Sequence, residues 1–395
     1  MLIQIHILQN YAPSNLNRDD TGSPKDAVFG GVQRGRISSQ CLKRSIRYSE
    51  AFKVFDAEGL LGKRTKTLPV LLQSIFDELK VNDETAKAIL SRLPAIIRGS
   101  TKGDKKGDDA AADDEDENDI AEPTSEAQGK EEEVKQLVFL DVNTELRAFA
   151  QKFLDAYKTA GGTPKKWESF KIKELMKALG ESLPRSIDIA MFGRMTTSQA
   201  FKNVQASVQV AHALSANALK TEFDYYTAMD DLKPDGVPGA DMIGDVEFNS
   251  CTYYKYINVS WKGLLDNLGG KESTAIAKRT VLALLEAAAT AHPSGKQNSF
   301  GAFSPADFVF VEVSERNLPV SYVNAFVTPV NGNNYQSLLK NSVATFSTYA
   351  GRLIKAYSLG AQRAYMSVED FPFMDLKAQP SLEDLKQWLA AQLPQ

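Results

Sequence analysis

The richest stretch of polar chemistry in this sequence runs from Asn15 to Arg47. Between Gln33 and Arg47 it contains no acidic residue and five basic residues, namely Arg34, Arg36, Lys43, Arg44 and Arg47. Ser38, Ser39 and Gln40 add neutral donors where a helix is predicted to begin, and a helix start carries free N–H groups and a partial positive charge. Such a convergence could hold a phosphodiester backbone. A solvated basic helix face is the alternative, and composition alone leaves it open.

A second polar stretch, His292 to Ser299, links a predicted helix to a predicted strand. Its donors include Lys296, Gln297 and Asn298, which could meet a phosphate group or another subunit. A plain connecting loop is the alternative interpretation.

A third stretch contains Arg194 and Met195 directly after Phe192-Gly193. Arg194 could contact phosphate, and Met195 could wedge against a base as a soft apolar side chain. The alternative is an arginine ion pair beside a core methionine.

The adjacent carboxylates Asp19 and Asp20 lie beside Arg18, with Asp26 nearby. Paired carboxylates could hold a divalent metal for phosphodiester cleavage. In a loop rich in Asn and Asp, such residues more often form Asx-turns or ion pairs.

The elements that would position these residues begin with a strand over residues 2–9, in which isoleucines alternate with Gln4 and His6. A loop follows from Asn10 to Gly35. Ser38 and Ser39 offer N-caps for a helix that is predicted to run to about Phe52.

Further along the chain, strands and helices alternate irregularly. Residues 67–98 and 144–180 are predicted to be helical, and Ile187–Phe192 and Val204–Leu214 have the composition of short strands. A long hairpin is predicted with arms from Glu222 to Met229 and from Val246 to Val259, and with a tip from Lys233 to Gly244. The remaining predicted elements are a helix from Ser273 to Ala291, a loop over 293–300, a strand from Phe308 to Val313 and helices over 335–356 and 382–393. This pattern favours an α+β domain with elaborations over a doubly wound sheet.

Charge is distributed unevenly along the 395 residues, whose net charge is −4. Residues 100–133 contain fourteen Asp and Glu, four Lys and no aromatic residue, so we expect a disordered, exposed loop. The other residues carry 42 Lys and Arg against 36 Asp and Glu. The acidic total therefore does not exclude nucleic-acid binding by the rest of the chain.

Neither cysteines nor histidines form a recognisable metal or disulfide pattern, since Cys41 and Cys251 are distant and the three histidines are scattered. We expect two free thiols, no structural metal and no cofactor. The N-terminus lacks the features of a signal peptide, and no apolar run is long enough to span a membrane. The sequence thus predicts a cytoplasmic protein without a membrane partner.

Six stretches, spread over most of the chain, share their order with those of a known family. They are LNRDD (16–20), KDAVFGG (25–31), RISSQCLKR (36–44), DIAMFGRM (188–195), VAHA (210–213) and GKQNSF (295–300). Each is moderately specific, and the ordered series is very specific. The sequence therefore resembles the CasC family, the backbone subunit of the type I-E CRISPR surveillance complex called Cascade.

The resemblance implies a hand-shaped α+β fold. Helical fingers would occupy residues 55–180, including the acidic loop, and a long β-hairpin thumb would occupy 222–256. The palm would be a modified RRM-like, ferredoxin-like sheet built from residues 1–54, 181–221 and 257–395.

The resemblance also implies a function without catalysis. Family members polymerise along a CRISPR RNA, each thumb reaches onto the neighbouring copy, and short guide segments stay open to pair with target DNA. Partners would be the CRISPR RNA, target DNA, other copies of the chain, the large and small subunits, an end-capping subunit and the endonuclease subunit that processes the CRISPR RNA.

The resemblance implies the following RNA-binding residues. Arg194 and Met195 would lie beside a kinked nucleotide, with Lys296, Gln297 and Asn298 close by. The RNA backbone would be held in the palm by Asn17, Arg18, Lys25, Arg36, Ser38, Ser39, Gln40, Lys43, Arg44 and Arg47.

An RNA-cleaving relative remains the alternative. Backbone subunits of type III complexes cut target RNA with a loop aspartate, and Asp19, Asp20 or Asp26 could take that role here.

Overall fold

The computed structural model describes residues 1–98, 138–171, 186–196, 201, 203–229, 240–270 and 272–394. Three sequence predictions fall partly or wholly outside the described residues. They are the acidic loop 100–133, residues 172–180 of the second helical stretch and residues 233–239 of the hairpin tip.

The helices and strands are numbered here in chain order. The strands are β1 (Leu2–Asn10), β2 (Asp26–Phe29), β3 (Val32–Ile37), β4 (Lys63–Thr65), β5 (Val138–Leu140), β6 (Val208–Val210), β7 (Ala213–Ser215), β8 (Thr221–Met229), β9 (Ala240–Asn249), β10 (Thr252–Ser260), β11 (Phe308–Ser314) and β12 (Gln362–Ser367). The α-helices are α1 (Ser39–Arg47), α2 (Glu50–Ala57), α3 (Leu68–Glu78), α4 (Asp83–Arg98), α5 (Glu145–Thr159), α6 (Pro164–Ser169), α7 (Ile187–Phe192), α8 (Trp261–Leu268), α9 (Ser273–Thr290), α10 (Gln297–Phe300), α11 (Tyr335–Tyr357) and α12 (Leu382–Gln392).

A mainly antiparallel sheet with the order β12-β11-β1-β10-β7-β3-β2 forms the centre of the molecule, and β6 also pairs with β10. The central strand β1 pairs antiparallel with β10 on one side and with β11 on the other. Four strands of this sheet and two helices follow one another in the order of a ferredoxin-like βαββαβ unit. In chain order they are β1, α1, β6/β7, β10, α9 and β11. The predicted α+β class is confirmed.

Side chains on both faces of the sheet are buried. On one face, Ile3, Ile5 and Ile7 of β1 pack in a core with α1, α8 and α9. On the other face, Leu8 packs with the aromatic residues of β10 and β11, and α11 covers them through residues such as Phe346. Because α11 lies on this face, residues that alternate with the isoleucines, including His6, are also shielded from water.

A second core lies in the helical stretch that precedes α7. Helices α3, α4, α5 and α6 bury Phe76, Leu93, Phe149 and Trp167 in one apolar cluster together with β5. This helical lobe matches the stretches predicted to be helical from the 3.6-residue spacing of their apolar residues.

Four predicted elements are wrong in the structure, and three of them precede Gly193. Ile187–Phe192 is a helix and not a strand, because a run of six residues with five apolar side chains is too short to distinguish the two by its period. The stretch from Asn10 to Gly35 is not all loop, since β2 and β3 form a hairpin around Gly30 and Gly31. The helix that starts after Ser38 ends at Arg47, and a second helix begins at Glu50.

The predicted second arm of the long hairpin, Val246 to Val259, is also wrong. Strand β8 pairs with β9, which ends at Asn249, and β10 pairs with β1 in the main sheet. The predicted thumb range 222–256 thus includes half of a strand from the main sheet. The apolar pattern continues across the break at Ser250-Cys251, where no Gly or Pro marks a turn.

A buried polar network surrounds His6. Its Nδ1 lies 2.8 Å from the Tyr254 hydroxyl, and its Nε2 lies 3.3 Å from Oε2 of Glu312. Glu312 also accepts hydrogen bonds from the Tyr322 hydroxyl at 2.9 Å and from Nε of Arg363 at 2.7 Å. Burial lowers the pKa of His6 below its ordinary value, and the contact with Glu312 opposes that shift only in part.

We expect the free energy of unfolding to fall as the pH drops below the ordinary histidine pKa of about 6.5. The unfolded chain then binds a proton that buried His6 resists, which costs up to about 1.4 kcal/mol per pH unit. Burial and the charge of Lys255 lower the pKa of His292 to about 4. His292 adds a smaller loss of unfolding free energy, because it is partly exposed. Denaturant titrations at pH 7 and pH 5.5 measure the loss. A His6→Gln variant should show a weaker pH dependence, and an unchanged dependence would contradict this account.

Candidate nucleic-acid interface

The start of α1 is held by side chains from two loops. Ser38 is the N-cap, and its Oγ accepts a hydrogen bond from the Cys41 amide at 3.2 Å. The Ser38 amide in turn donates to Oδ1 of Asn17 at 2.8 Å. Asn17 therefore fixes the N-terminus of α1 against the loop that carries Arg18. This link brings two predicted stretches together.

Arg36 joins β3 to the segment after β6. Its Nε donates to the Asp26 carbonyl at 2.9 Å, and its Nη1 lies 3.3 Å from Nδ1 of the exposed His212. The Arg36 amide donates to the Lys25 carbonyl at 2.9 Å. Lys25, Arg36 and His212 thus lie at one edge of the sheet, next to the start of α1.

The outward side of α1 continues this polar surface. Ser39 donates its hydroxyl to the Val210 carbonyl at 2.7 Å, and half-buried Gln40 follows it. The Lys43 ammonium lies 6.0 Å from the centre of the Phe192 ring at the end of α7. Arg44 is exposed, and its guanidinium lies 5.1 Å from the Tyr48 ring.

The loop before α10 packs tightly against the loop of Asn17. A Cβ atom on Gly295 would lie 2.4 Å from the Leu16 carbonyl oxygen, so only glycine permits this approach. Lys296 and Asn298 are exposed, and Lys296 has the left-handed φ of 49°. Gln297 donates to the Pro293 carbonyl at 2.9 Å. The structure therefore brings Lys296, Gln297 and Asn298 beside the loop that carries Asn17 and Arg18.

Arg194 and Arg47 depart from the predicted interface because each forms a buried ion pair. Arg194 donates to both carboxylate oxygens of Glu145, at 2.8 and 2.9 Å, and its side chain is 4% exposed. Nε of Arg47 donates at 2.9 Å to the fully buried Asp188. If either arginine moved to bind phosphate, a buried carboxylate would lose its partner at a cost of about 3–5 kcal/mol. The structure thus favours the ion-pair alternative for Arg194.

Met195 is not a core methionine, since it is 71% exposed. It follows Phe192, the residue whose ring faces the Lys43 ammonium, by three positions in the chain. Met195 is therefore accessible to a ligand, while Arg194 is oriented inward.

Arg34, one of the five basic residues in the richest stretch, is fully buried. Its guanidinium donates to four backbone carbonyls, those of Ser215, Ala216, Phe326 and Val327, at 2.8–3.1 Å. Burial lowers the pKa of this guanidinium, although arginine keeps its charge at neutral pH. Arg34 stabilises the fold and takes no part in the surface.

The loop aspartates cap their own backbone. Oδ1 of Asp19 accepts hydrogen bonds from the amides of Thr21 and Ser23 and from the Thr21 hydroxyl, at 2.8–3.0 Å. These bonds lower the pKa of Asp19, although burial acts in the opposite direction. Asp26 accepts a hydrogen bond from the Gln33 side chain, and Asp20 is exposed. Among the described residues, no group of three or more His, Cys, Asp or Glu side chains is placed to hold a metal ion.

His212 lies in the VAHA stretch but was not proposed as a site residue, and the β2–β3 hairpin was not predicted. Gly30 and Gly31 both have a positive φ, which is the signature of a two-residue type I′ turn. A Gly-Gly pair between short runs was therefore an available signal for the hairpin. No local signal places His212 beside Arg36, which is 176 positions away.

The gathered side chains can bind a polyanion without reading its sequence. Exposed cations, hydroxyl groups and amides around a helix start match phosphate oxygens, and they make no base-specific pattern. Fold and surface together define an α+β protein with a ferredoxin-like sheet and a polar, cation-rich edge.

The chain belongs to the family of CT1975-like proteins, whose model matches residues 3–388. A chain of a solved "CRISPR RNA-guided surveillance complex, pre-nicking" is similar to it with 26% identity and a TM-score of 0.75, over 99% of this chain and 100% of that chain. A chain of a "CRISPR RNA-guided surveillance complex" shares the fold at 22% identity and a TM-score of 0.59, over 99% of each chain. A search of the curated proteins found no match. Among the described residues, no helix has the length and apolarity needed to cross a membrane.

Replacing Arg34 should destabilise the fold far more than replacing Arg36. An Arg34→Met variant leaves four buried carbonyls without their donor, so we expect the free energy of unfolding to fall by about 3 kcal/mol or more. Arg36→Met, two residues along the same strand, should cost less than about 1.5 kcal/mol, because Arg36 is only half-buried and water can replace its hydrogen bonds. Chemical denaturation measures both. Equal losses would show that burial does not separate the two arginines.

Proposed function

We propose that this chain is a backbone subunit of a type I-E CRISPR surveillance complex, in which copies lie along a guide RNA and hold its phosphate backbone. The observation that carries the proposal is the single surface formed by the Asn17 loop, Arg36, the start of α1 and the Lys296 loop. The family membership and the similarity to a chain of an RNA-guided complex support it.

Indifference to sequence is what a guide-holding subunit needs. Guides vary, so the protein must contact what all guides share, which is the sugar–phosphate backbone. Specificity then comes from base pairing between the guide and target DNA. The surface around α1 offers donors for phosphate, and the exposed side chain of Met195 could touch a base.

The β8–β9 hairpin supports assembly of several copies. It forms a separate two-stranded sheet, and Phe223, Tyr225 and Ile243 are each more than 60% exposed. An isolated hairpin of this kind is only marginally stable, so a contact with a neighbour would stabilise it. In the proposed complex the hairpin is the thumb that reaches onto the next copy. The remaining proposed partners are the large, small, end-capping and RNA-processing subunits.

Charge reversal at α1 tests the RNA site. In a Lys43→Glu/Arg44→Glu variant, two carboxylates would repel phosphate at the centre of the surface. We expect the RNA that co-purifies with the chain to fall at least tenfold, measured by absorbance ratio and a denaturing gel. The matched control is Lys53→Glu/Lys262→Glu, because both lysines are well exposed and lie in surface ion pairs on other helices. Retained RNA in the first variant, or equal loss in the control, would contradict the proposed site.

We further propose that the subunit holds RNA and does not cut it. Asp19 is committed to its own loop, where it accepts three hydrogen bonds, and the alternative would require a loop aspartate to act on target RNA. Assembled complex incubated with complementary RNA and Mg²⁺ should leave that RNA intact. Cleavage that disappears in Asp19→Ala, Asp20→Ala or Asp26→Ala would establish the type III-like alternative instead.

A further inference from the structure

Residues 317–368 contain no Asp or Glu, although the whole chain has 50 of these residues in 395. The same stretch contains four basic residues, three of which belong to α11. The fourth, Arg363, donates to the buried carboxylate of Glu312. The cations of α11 therefore lie in a long segment that offers them no acidic neighbour in sequence.

Helix α11 presents these cations on its outer face. Leu339, Val343, Phe346 and Ala350 are buried and cover the aromatic face of the main sheet. Residues on the opposite side of the helix are exposed, and they are Lys340, Asn341, Ala344, Thr348, Arg352 and Lys355. This side combines three cations with hydrogen-bonding side chains and has no carboxylate.

The nearest acidic segment in sequence lies on the other side of α11. Glu369, Asp370 and Asp375 follow β12, and Phe373 between them packs on Phe346 with 5.6 Å between ring centres. Phe346 belongs to the buried side of the helix. That segment therefore does not lie over the outer face.

The helix is a firm support for its surface. A capping box between Asn334 and Ser337 fixes its first turn, and its 23 residues extend for about 34 Å. At its other end Ser358 ends the helix with a left-handed φ of 48°. Cations spaced along a rigid helix can follow the phosphate backbone of a nucleic-acid strand.

We infer that the outer face of α11 binds a single nucleic-acid strand, at a second site distinct from the surface around α1. The two sites lie on opposite faces of the main sheet, since α1 packs in one core and α11 in the other. The identity of the strand rests on the proposed function. When a guide pairs with one strand of a DNA duplex, the other strand is released, and the face of α11 would hold that displaced strand.

The test measures binding of a fluorescent single-stranded DNA of arbitrary sequence to the full chain in a Lys43→Glu/Arg44→Glu background, in which the α1 surface is disabled. Adding Lys340→Gln/Arg352→Gln/Lys355→Gln should weaken binding at least tenfold at low salt. It should also reduce the slope of log affinity against log salt by about 2, as expected for three lost phosphate contacts.

The control is Lys53→Gln/Lys158→Gln/Lys262→Gln, which removes the same charge from three exposed lysines on other helices. Equal weakening by both triple variants, or none by the α11 variant, would overturn the inference. A change in oligomeric state without a change in DNA affinity would instead assign the face to a protein contact and would also overturn it.

This assay needs no guide RNA, so it separates the inference from the proposed function. DNA binding through α11, together with failure of the chain that keeps Lys43 and Arg44 to retain any guide RNA, would uphold the second site and contradict the proposed role. In a guide-loaded complex, the same α11 variant should keep its guide and target strand while the displaced strand becomes more accessible to a single-strand nuclease. Unchanged accessibility would remove the displaced strand as the ligand.

Discussion

Burial of the main sheet on both faces is the constraint that decides where polar side chains can remain accessible in this molecule. In many ferredoxin-like RNA-binding domains, aromatic residues on the open face of the sheet stack on bases. Here Tyr254, Phe308 and Phe310 occupy that face, but they pack against α11 and contact His6 and Phe346 instead. In the proposed function, contacts with RNA would therefore come from the loops and helix surfaces around the sheet, where the polar side chains lie.

The same constraint explains why one arginine of β3 is buried and stabilises the fold, while another stays accessible. Arg34 and Arg36 lie on the same side of β3, and sequence gives no reason to separate them. The 3-10 helix Val323–Phe326 covers Arg34 and supplies one of its carbonyls, whereas Arg36 lies beyond it at the edge, next to His212. An arginine under a covering segment satisfies that segment's backbone, and an arginine beside it stays available to solvent and ligand.

Sequence reasoning succeeded where the signal is local. The Ser38 N-cap, the strand at residues 2–10 and the long helices 273–290 and 335–357 follow from capping residues and from apolar period. It failed where the deciding partner is distant. Arg47 and Arg194 find their carboxylates 141 and 49 positions away, and the strand that follows the hairpin is defined by pairing with β1. No local pattern distinguishes a cation that will meet such a partner from one that will not.

The ion pair between Arg194 and Glu145 joins the segment after α7 to the helical lobe, with both side chains almost fully buried. Mobile ions screen charges that face water and hardly reach charges that are enclosed by protein. Ionic strength should therefore act on this molecule selectively. A salt concentration that would release a polyanion from the exposed cations would leave the ion pair between Arg194 and Glu145 intact. The protein would then keep its conformation and could bind again once the salt is diluted.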